Sequence, residues 1–394
     1  MGIDTRFEPY IHWLEHEKKN MVSLLKSWAE IPTYTNDLEG LAKQTQYVMS
    51  EFGKLADETE VIELPKAFRT NSEGKTEPFK INPALSFKKR TKASKKLFLG
   101  GHIDTVHKTH FKVQESPNKL IGPGVADMKG GLIILLKALE AFERSPFAKG
   151  LGWEVFINSD EEIGSPSSGN VLKERARLYK TSLWYEPALS DGFIAGRRKG
   201  SLNATLFFRG KGGHAGRDFE TAKNALTSSI RFIQALEERK HPQVDINYGE
   251  LTSGYAHNVI PSLACLKINA RSFEPYSLDS LLPLMYSIAK IEKDKYGIDV
   301  EILDKGYRPP KEFPEPLFKH MKSLANMLGI KLDTKETGGV SDGNLISSVH
   351  VPCLDTMGAI GGGIHTTDEW IETDSLVDRA KLSLLYFLEE GSHL

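Results

Sequence analysis

Four apolar runs follow one another between residues 97 and 186: LFLGG (97–101), GGLIILLKALEAFE (130–143), WEVFINS (153–159) and LWYE (183–186). The first, third and fourth have strand length, and the second has helix length with near-continuous hydrophobicity. Short strands alternating with helices argue for βαβ units around a largely parallel sheet, that is, an α/β fold. A further run, VPCLDTMGAI (351–360), followed by a helical pattern from about Ser375 to Glu390, returns to the same sheet. The two ends of the chain are therefore expected in one domain.

A different pattern lies between them. Strand signals SLNATLFFRG (201–210), VDINYGEL (244–251), LACLKINARS (263–272) and DVEILDK (299–305) are interleaved with helix signals at 221–239 and 277–294. The order βαββαβ suits a small ferredoxin-like α+β sheet with its helices on one face. The boundaries expected are a discontinuous domain at 1–199 and 310–394 and an inserted one at 200–309. A length of 394 residues also favours two cores over one. Amphipathic helices are expected at 7–29 and 38–55. The Lys-rich stretch Pro65 to Lys96 reads as a solvated loop or hairpin.

Composition narrows the partners. Lys plus Arg (51) nearly balances Asp plus Glu (52), which removes the electrostatic case for nucleic acid or an anionic membrane. Neither a signal-peptide pattern nor an apolar run of membrane-spanning length is present, so the expectation is a cytoplasmic protein acting on a small molecule. Cys265 and Cys353 lie apart in apolar runs and are expected as buried thiols.

In open α/β sheets ligands bind beyond the carboxyl ends of the strands, and polar residues accumulate there. His102-Ile103-Asp104 follows LFLGG, and alternation puts His102 and Asp104 on one side. Asp127 stands in the glycine-bracketed turn GPGVADMKGG before the helix. Asp160-Glu161-Glu162 follows WEVFINS, Glu186 closes LWYE, and His365 lies in MGAIGGGIHTTDEW. Singly, each has an ordinary reading as a cap, a surface carboxylate or a buried histidine. Adjacent carboxylates at a buried sheet edge, however, require cations or protons to offset desolvation and repulsion. Together His102, Asp127, Glu162, Glu186 and His365 supply two imidazoles and three carboxylates, a donor set suited to a pair of Zn²⁺ ions.

The segments GHIDTV, GPGVADMKGG, SDEEIGS, YEP, GKGGHAG, NVIP and GGGIH, in that order, resemble the M20 metallopeptidases, most closely the carboxypeptidase G2 or glutamate carboxypeptidase-like branch. The resemblance implies a co-catalytic hydrolase with two Zn²⁺ per subunit, Co²⁺ or Mn²⁺ being alternatives. Asp127 would bridge the ions, with His102 and Glu186 completing one site and Glu162 and His365 the other. Glu161 would be the general base and Asp104 would orient His102. It further implies that the insert is a lid and dimerisation domain, and that His214 in GKGGHAG reaches the other subunit's active site in a homodimer. Asn258, Arg271 and backbone groups around Gly339 would hold the substrate's carboxylate, an arginine fork suiting that task. The substrate expected is a peptide or N-acyl amino acid, cleaved to release a C-terminal residue such as glutamate. An N-acyl amino acid deacylase, a dipeptidase and a catalytically silent binding relative are the other readings. HIDTVHKTHF departs from the family's proline and tryptophan pattern at the same place.

Overall fold

The computed structural model describes residues 2–392 apart from 72, 110 and 190, with the backbone alone at 304 and 305. Its main sheet has six strands in the order Glu58–Ile62, Ala84–Lys89, Gly152–Asn158, Lys96–His102, Ser182–Trp184 and Cys353–Leu354. The last four run parallel, and the first two join antiparallel at one edge.

Both faces of this sheet are covered, which is why its strands read as continuous apolar runs. Leu97, Leu99, Val155, Ile157 and Leu183 point into one core with the helices Gly130–Glu143 and Thr373–Ser392. Phe98, Phe156 and Trp184 point the other way, onto the helices Ser168–Ala176 and Asp342–Ser347. The strictly alternating assignment is the pleat seen from within.

Two parts of the sequence reading need correction. The Pro65 to Lys96 stretch holds the hairpin Ala67–Thr70/Thr76–Phe79, but also the buried sheet strand Ala84–Lys89. The lysines at its end and on either side hide an apolar segment whose Ala84, Leu85 and Phe87 are fully packed. The first expected helix is two, Glu8–His16 and Lys18–Ala29, broken at Glu17; the next runs Leu38–Phe52.

A second, antiparallel sheet orders its strands Asp245–Ser253, Leu263–Ser272, Gly200–Arg209 and Asp299–Arg308. With the helices Ala225–Arg239 and Leu281–Tyr296 it encloses a separate core containing Leu206, Phe208, Phe232, Leu266 and Met285. The architecture is thus α/β with a smaller α+β unit. The chain enters and leaves this unit side by side, Arg198 and Lys311 pairing their backbones in both directions. The tip of the 67–79 hairpin reaches it as well, where Arg209 Nη2 donates to the Glu73 carbonyl at 3.1 Å. Cys265 and Cys353 are buried and not joined in a disulfide.

Candidate metal centre

Three parallel strands deliver their carboxyl ends to one place. His102 is the last residue of Lys96–His102, Glu161 and Glu162 follow Gly152–Asn158 in a short helical turn, and Glu186 follows Ser182–Trp184. Asp127 lies in an irregular turn just before the helix Gly130–Glu143, with φ −115° and ψ 94° and a cis bond to Met128. His365 adopts φ +65° in the loop after Gly361–Gly362.

Asp127 divides its carboxylate between two histidines. Its Oδ1 is 3.2 Å from His102 Nε2, which also faces Glu186 Oε2 at 3.6 Å. Its Oδ2 is 3.4 Å from His365 Nε2, which faces Glu162 Oε2 at 3.3 Å. The geometry therefore sorts the five candidates into two histidine–carboxylate pairs with Asp127 common to both. His102 Nδ1 donates to the Asp104 carbonyl at 2.9 Å, and that bond leaves the Nε2 lone pair aimed at the carboxylates.

An inward lone pair among carboxylates is unfavourable unless something positive lies between. His102 Nε2, Asp127 Oδ1 and Glu186 Oε1 are buried and make no hydrogen bond. Ligand atoms of His102, Asp127 and Glu162 lie within 4.8 Å of one another. Burial pushes the carboxyls of Glu162 and Glu186 up to about 8, with Asp127's charge adding to the effect. Hydrogen bonds to Asp127 and Glu162 raise His365 to about 10. Burial opposes a charge on His102, but Glu186 and its other carboxylate neighbours outweigh it, and its pKa lies well above the usual value. Asp127 is held low: burial works against its charge and the two histidines prevail. Without cations the cluster collects protons. Orphaned buried donor atoms and a nitrogen–oxygen ligand set both fit divalent ions of the zinc type.

Asp104 supports this cluster in two ways. Its carbonyl holds His102, with its carboxylate 3.4 Å from the same nitrogen. The carboxylate also accepts from the Glu161 and Glu162 N–H groups at 3.3 and 3.2 Å and from Thr35 Oγ1 at 2.9 Å. Glu161 is buried and accepts from Arg308 Nη1 at 2.7 Å. Burial raises its pKa, and Arg308 works in the opposite direction.

Arg308 is the residue that sequence reasoning passed over. It ends the strand Asp299–Arg308, and its Nη2 donates to Ser165 Oγ at 2.8 Å and Asp342 Oδ1 at 3.2 Å, while its buried Nε is unpaired. Arg271 is singled out through the family resemblance, whereas the KGYRPP segment that holds Arg308 carries no such motif. Ser201 pairs with Arg271 on one side and Arg308 on the other, so both guanidinium groups leave the same face of the smaller sheet. Arg271 is half-buried, donating from Nε to Asn269 Oδ1 at 2.9 Å and from Nη1 to the Gly338 carbonyl. Gly339 accepts from Arg198 Nη1 at 3.1 Å. His214, which ends the short strand Gly213–His214 paired with Val259–Ile260, and Asn258, just before that partner strand, are both exposed, Ala215 N–H donating to the Asn258 carbonyl at 3.0 Å. Among the described residues, neither side chain makes a hydrogen bond or ion pair to the five clustered side chains.

Residues 98–389 match the family described as Peptidase family M20/M25/M40. Carboxypeptidase G2 of Pseudomonas sp. (strain RS-16) is 23% identical over 393 residues, covering 95% of this chain and 90% of that protein. Succinyl-diaminopimelate desuccinylase of Ruthia magnifica is 28% identical over 318 residues, covering 73% and 81%. Among solved structures, aminopeptidase PepT of Bacillus cereus superposes with a TM-score of 0.72 at 19% identity over 95% of this chain and 99% of its own. An M20 family metallo-carboxypeptidase of Sulfolobus solfataricus gives 0.73 at 14% identity over 94% and 99%. These structural likenesses concern the fold.

Proposed function

The chain belongs to peptidase family M20/M25/M40 and is a metal-dependent hydrolase, and from that premise we propose that it is a two-zinc carboxypeptidase. Its substrate is a peptide or N-acyl conjugate, and it releases a C-terminal amino acid, glutamate in the first instance. The observation that carries this reading is the division of Asp127 between His102/Glu186 and His365/Glu162. One carboxylate shared by two ligand pairs is what a pair of cations a few ångströms apart requires.

Bound ions supply Lewis acidity toward the scissile carbonyl and acidify a water molecule. The chain's own groups do the rest. Asp104 fixes the tautomer of His102 and the backbone of Glu161. Glu161 takes the proton of the attacking water and passes it to the leaving nitrogen, a general base turned general acid. Arg271 offers its guanidinium to the substrate's carboxylate, with Asn258 and the Gly339 turn completing the pocket, while Arg308 stays engaged with Glu161. The 200–309 unit acts as a lid, and a homodimer formed through it brings His214 to the partner's site. Co²⁺ or Mn²⁺ are alternative occupants.

The desuccinylases among the relatives support a second reading, an N-acyl amino acid deacylase using the same centre. Elemental analysis gives the zinc content, and a panel of N-acyl-glutamate, N-acyl-glutamine, N-acetyl amino acids and unblocked dipeptides separates the readings. Preference for N-acyl-glutamate, lost on amidating either carboxylate, is the expected result. Glu161→Gln is expected to abolish turnover with metal retained. Wild-type protein that binds no metal, or binds two ions and cleaves none of the panel, refutes the proposal.

A further inference from the structure

Glu369 lies outside the five clustered side chains, yet its carboxylate is saturated with donors from the loop that carries Asp127. Oε1 accepts from the Ala126 and Asp127 N–H groups at 2.8 and 3.0 Å. Oε2 accepts from the Gly124 N–H at 3.1 Å and from His107 Nε2 at 2.7 Å, and the Glu369 carbonyl accepts from Gly122 N–H at 3.0 Å. Glu369 is fully buried and His107 nearly so, its ring edge-on to Phe111 at 5.1 Å.

We propose that Glu369 is a positioning residue for the cation pair, locking the Asp127 loop to the His365 loop, and that His107 holds Glu369 in place. The inference rests on the metal-centre reading above. The turn at Asp127 has no regular helix or strand to fix it, so the N–H groups of Gly124, Ala126 and Asp127 have their acceptor in Glu369. Glu369 is only four residues beyond His365. One carboxylate thus sets where the shared ligand stands relative to a ligand of the second ion. A backbone so clamped transmits its position to the Asp127 carboxylate, and small displacements of a ligand change metal affinity steeply. His107 belongs to HIDTVHKTHF, the segment that begins with the candidate ligand His102, so the clamp also ties that segment to Glu369. A neutral His107 carries its proton on Nε2, since a carboxylate offers only acceptors.

The test is titration of chelator-stripped protein with Zn²⁺ and with Co²⁺, followed calorimetrically and through the visible Co²⁺ absorption, with kcat and KM measured alongside. Glu369→Gln keeps one acceptor oxygen and turns the other into a donor facing the Gly124 N–H. It is expected to weaken the second equivalent of metal by about tenfold to a hundredfold, alter the Co²⁺ bands and lower kcat, with KM within about twofold. His107→Ala is expected to move the same quantities in the same direction and His107→Gln, which restores a donor, to recover them. If Glu369→Gln does not fold, the His107 pair decides alone. Wild type that binds two ions, with Glu369→Gln or His107→Ala showing unchanged affinities and bands, overturns the positioning role whatever their melting temperatures. Wild type that binds none removes the metal-centre reading and this inference together.

Discussion

Replacing Arg308 by methionine removes every donor from a guanidinium that serves Glu161, Ser165 and Asp342 at once. Its contact with Glu161 is 2.7 Å and both side chains are largely buried. At an effective dielectric constant near 20, that separation corresponds to about 6 kcal/mol of attraction before desolvation is subtracted. The expected net loss is smaller, about 3–5 kcal/mol, and most of it comes from two carboxylates left without compensation. Introducing Glu161→Gln into the same protein removes one stranded charge. The double variant is therefore expected to be more stable than Arg308→Met alone by at least about 1 kcal/mol, since groups in one charged network do not add independently. Asp342 keeps its bonds to Asn158 and Ser165 throughout. Urea unfolding of the four proteins with chelator present, so that metal affinity does not enter, measures the cycle. Additive effects, or an Arg308→Met protein as stable as wild type, would refute the view that this pair is an energetically coupled unit.

Asp127→Ala is expected to reduce metal content from two ions to below one, whereas His365→Ala leaves one tightly held; inductively coupled plasma analysis after dialysis distinguishes them. Because the metal-free carboxyls of Glu162 and Glu186 titrate at about 8 and His365 at about 10, ions displace protons at pH 7. Zinc affinity is then expected to rise from pH 6 to 8, with proton release visible as a buffer-dependent heat; a buffer-independent heat contradicts it. Asp355 is buried, which opposes its charge, but Arg198 and Lys311 prevail and its folded pKa is depressed. Its stabilisation is present above the unfolded carboxyl's value near 4 and is lost as the pH falls through the lower folded value, so Asp355→Asn is expected to flatten that acid limb. A Cβ on Gly131 would meet the Tyr185 carbonyl at 1.9 Å, so Gly131→Ala is expected to destabilise by about 1–3 kcal/mol and to impair metal uptake at neighbouring Glu186.

Legibility in the sequence followed the range of the interactions. Leu97, Phe98 and Leu99 announce a strand covered on both faces because burial is written into consecutive residues. The clustered donors were legible as polar residues at the ends of such strands, a position that topology defines. Ala84–Lys89 was not, since Lys88, Lys89 and Arg90 give the segment the look of a solvated run; the charges lie at its wet end and reach Glu60, Asp57 and Glu143. VPCLDTMGAI contributes only Cys353–Leu354 to the sheet, with Thr356 bridging to Tyr185 beyond it. His107 and Glu369 are 262 residues apart, and no local pattern foretells their bond. Arg308 was hidden by a different cause: an arginine at the end of a strand is ordinarily a surface group, and only the approach of Glu161 and Asp342 makes it an interior one.

The side-by-side passage of the chain at Arg198 and Lys311 gives the smaller sheet a covalent pivot. Points near a pivot scarcely travel when a body turns, and distant points sweep wide arcs. Arg308 is three residues from that pivot, whereas His214 and Asn258 lie beyond the opposite ends of the sheet strands Gly200–Arg209 and Leu263–Ser272. Swinging the sheet would therefore carry those outer residues through a long path while leaving the grip of Arg308 on Glu161 almost stationary.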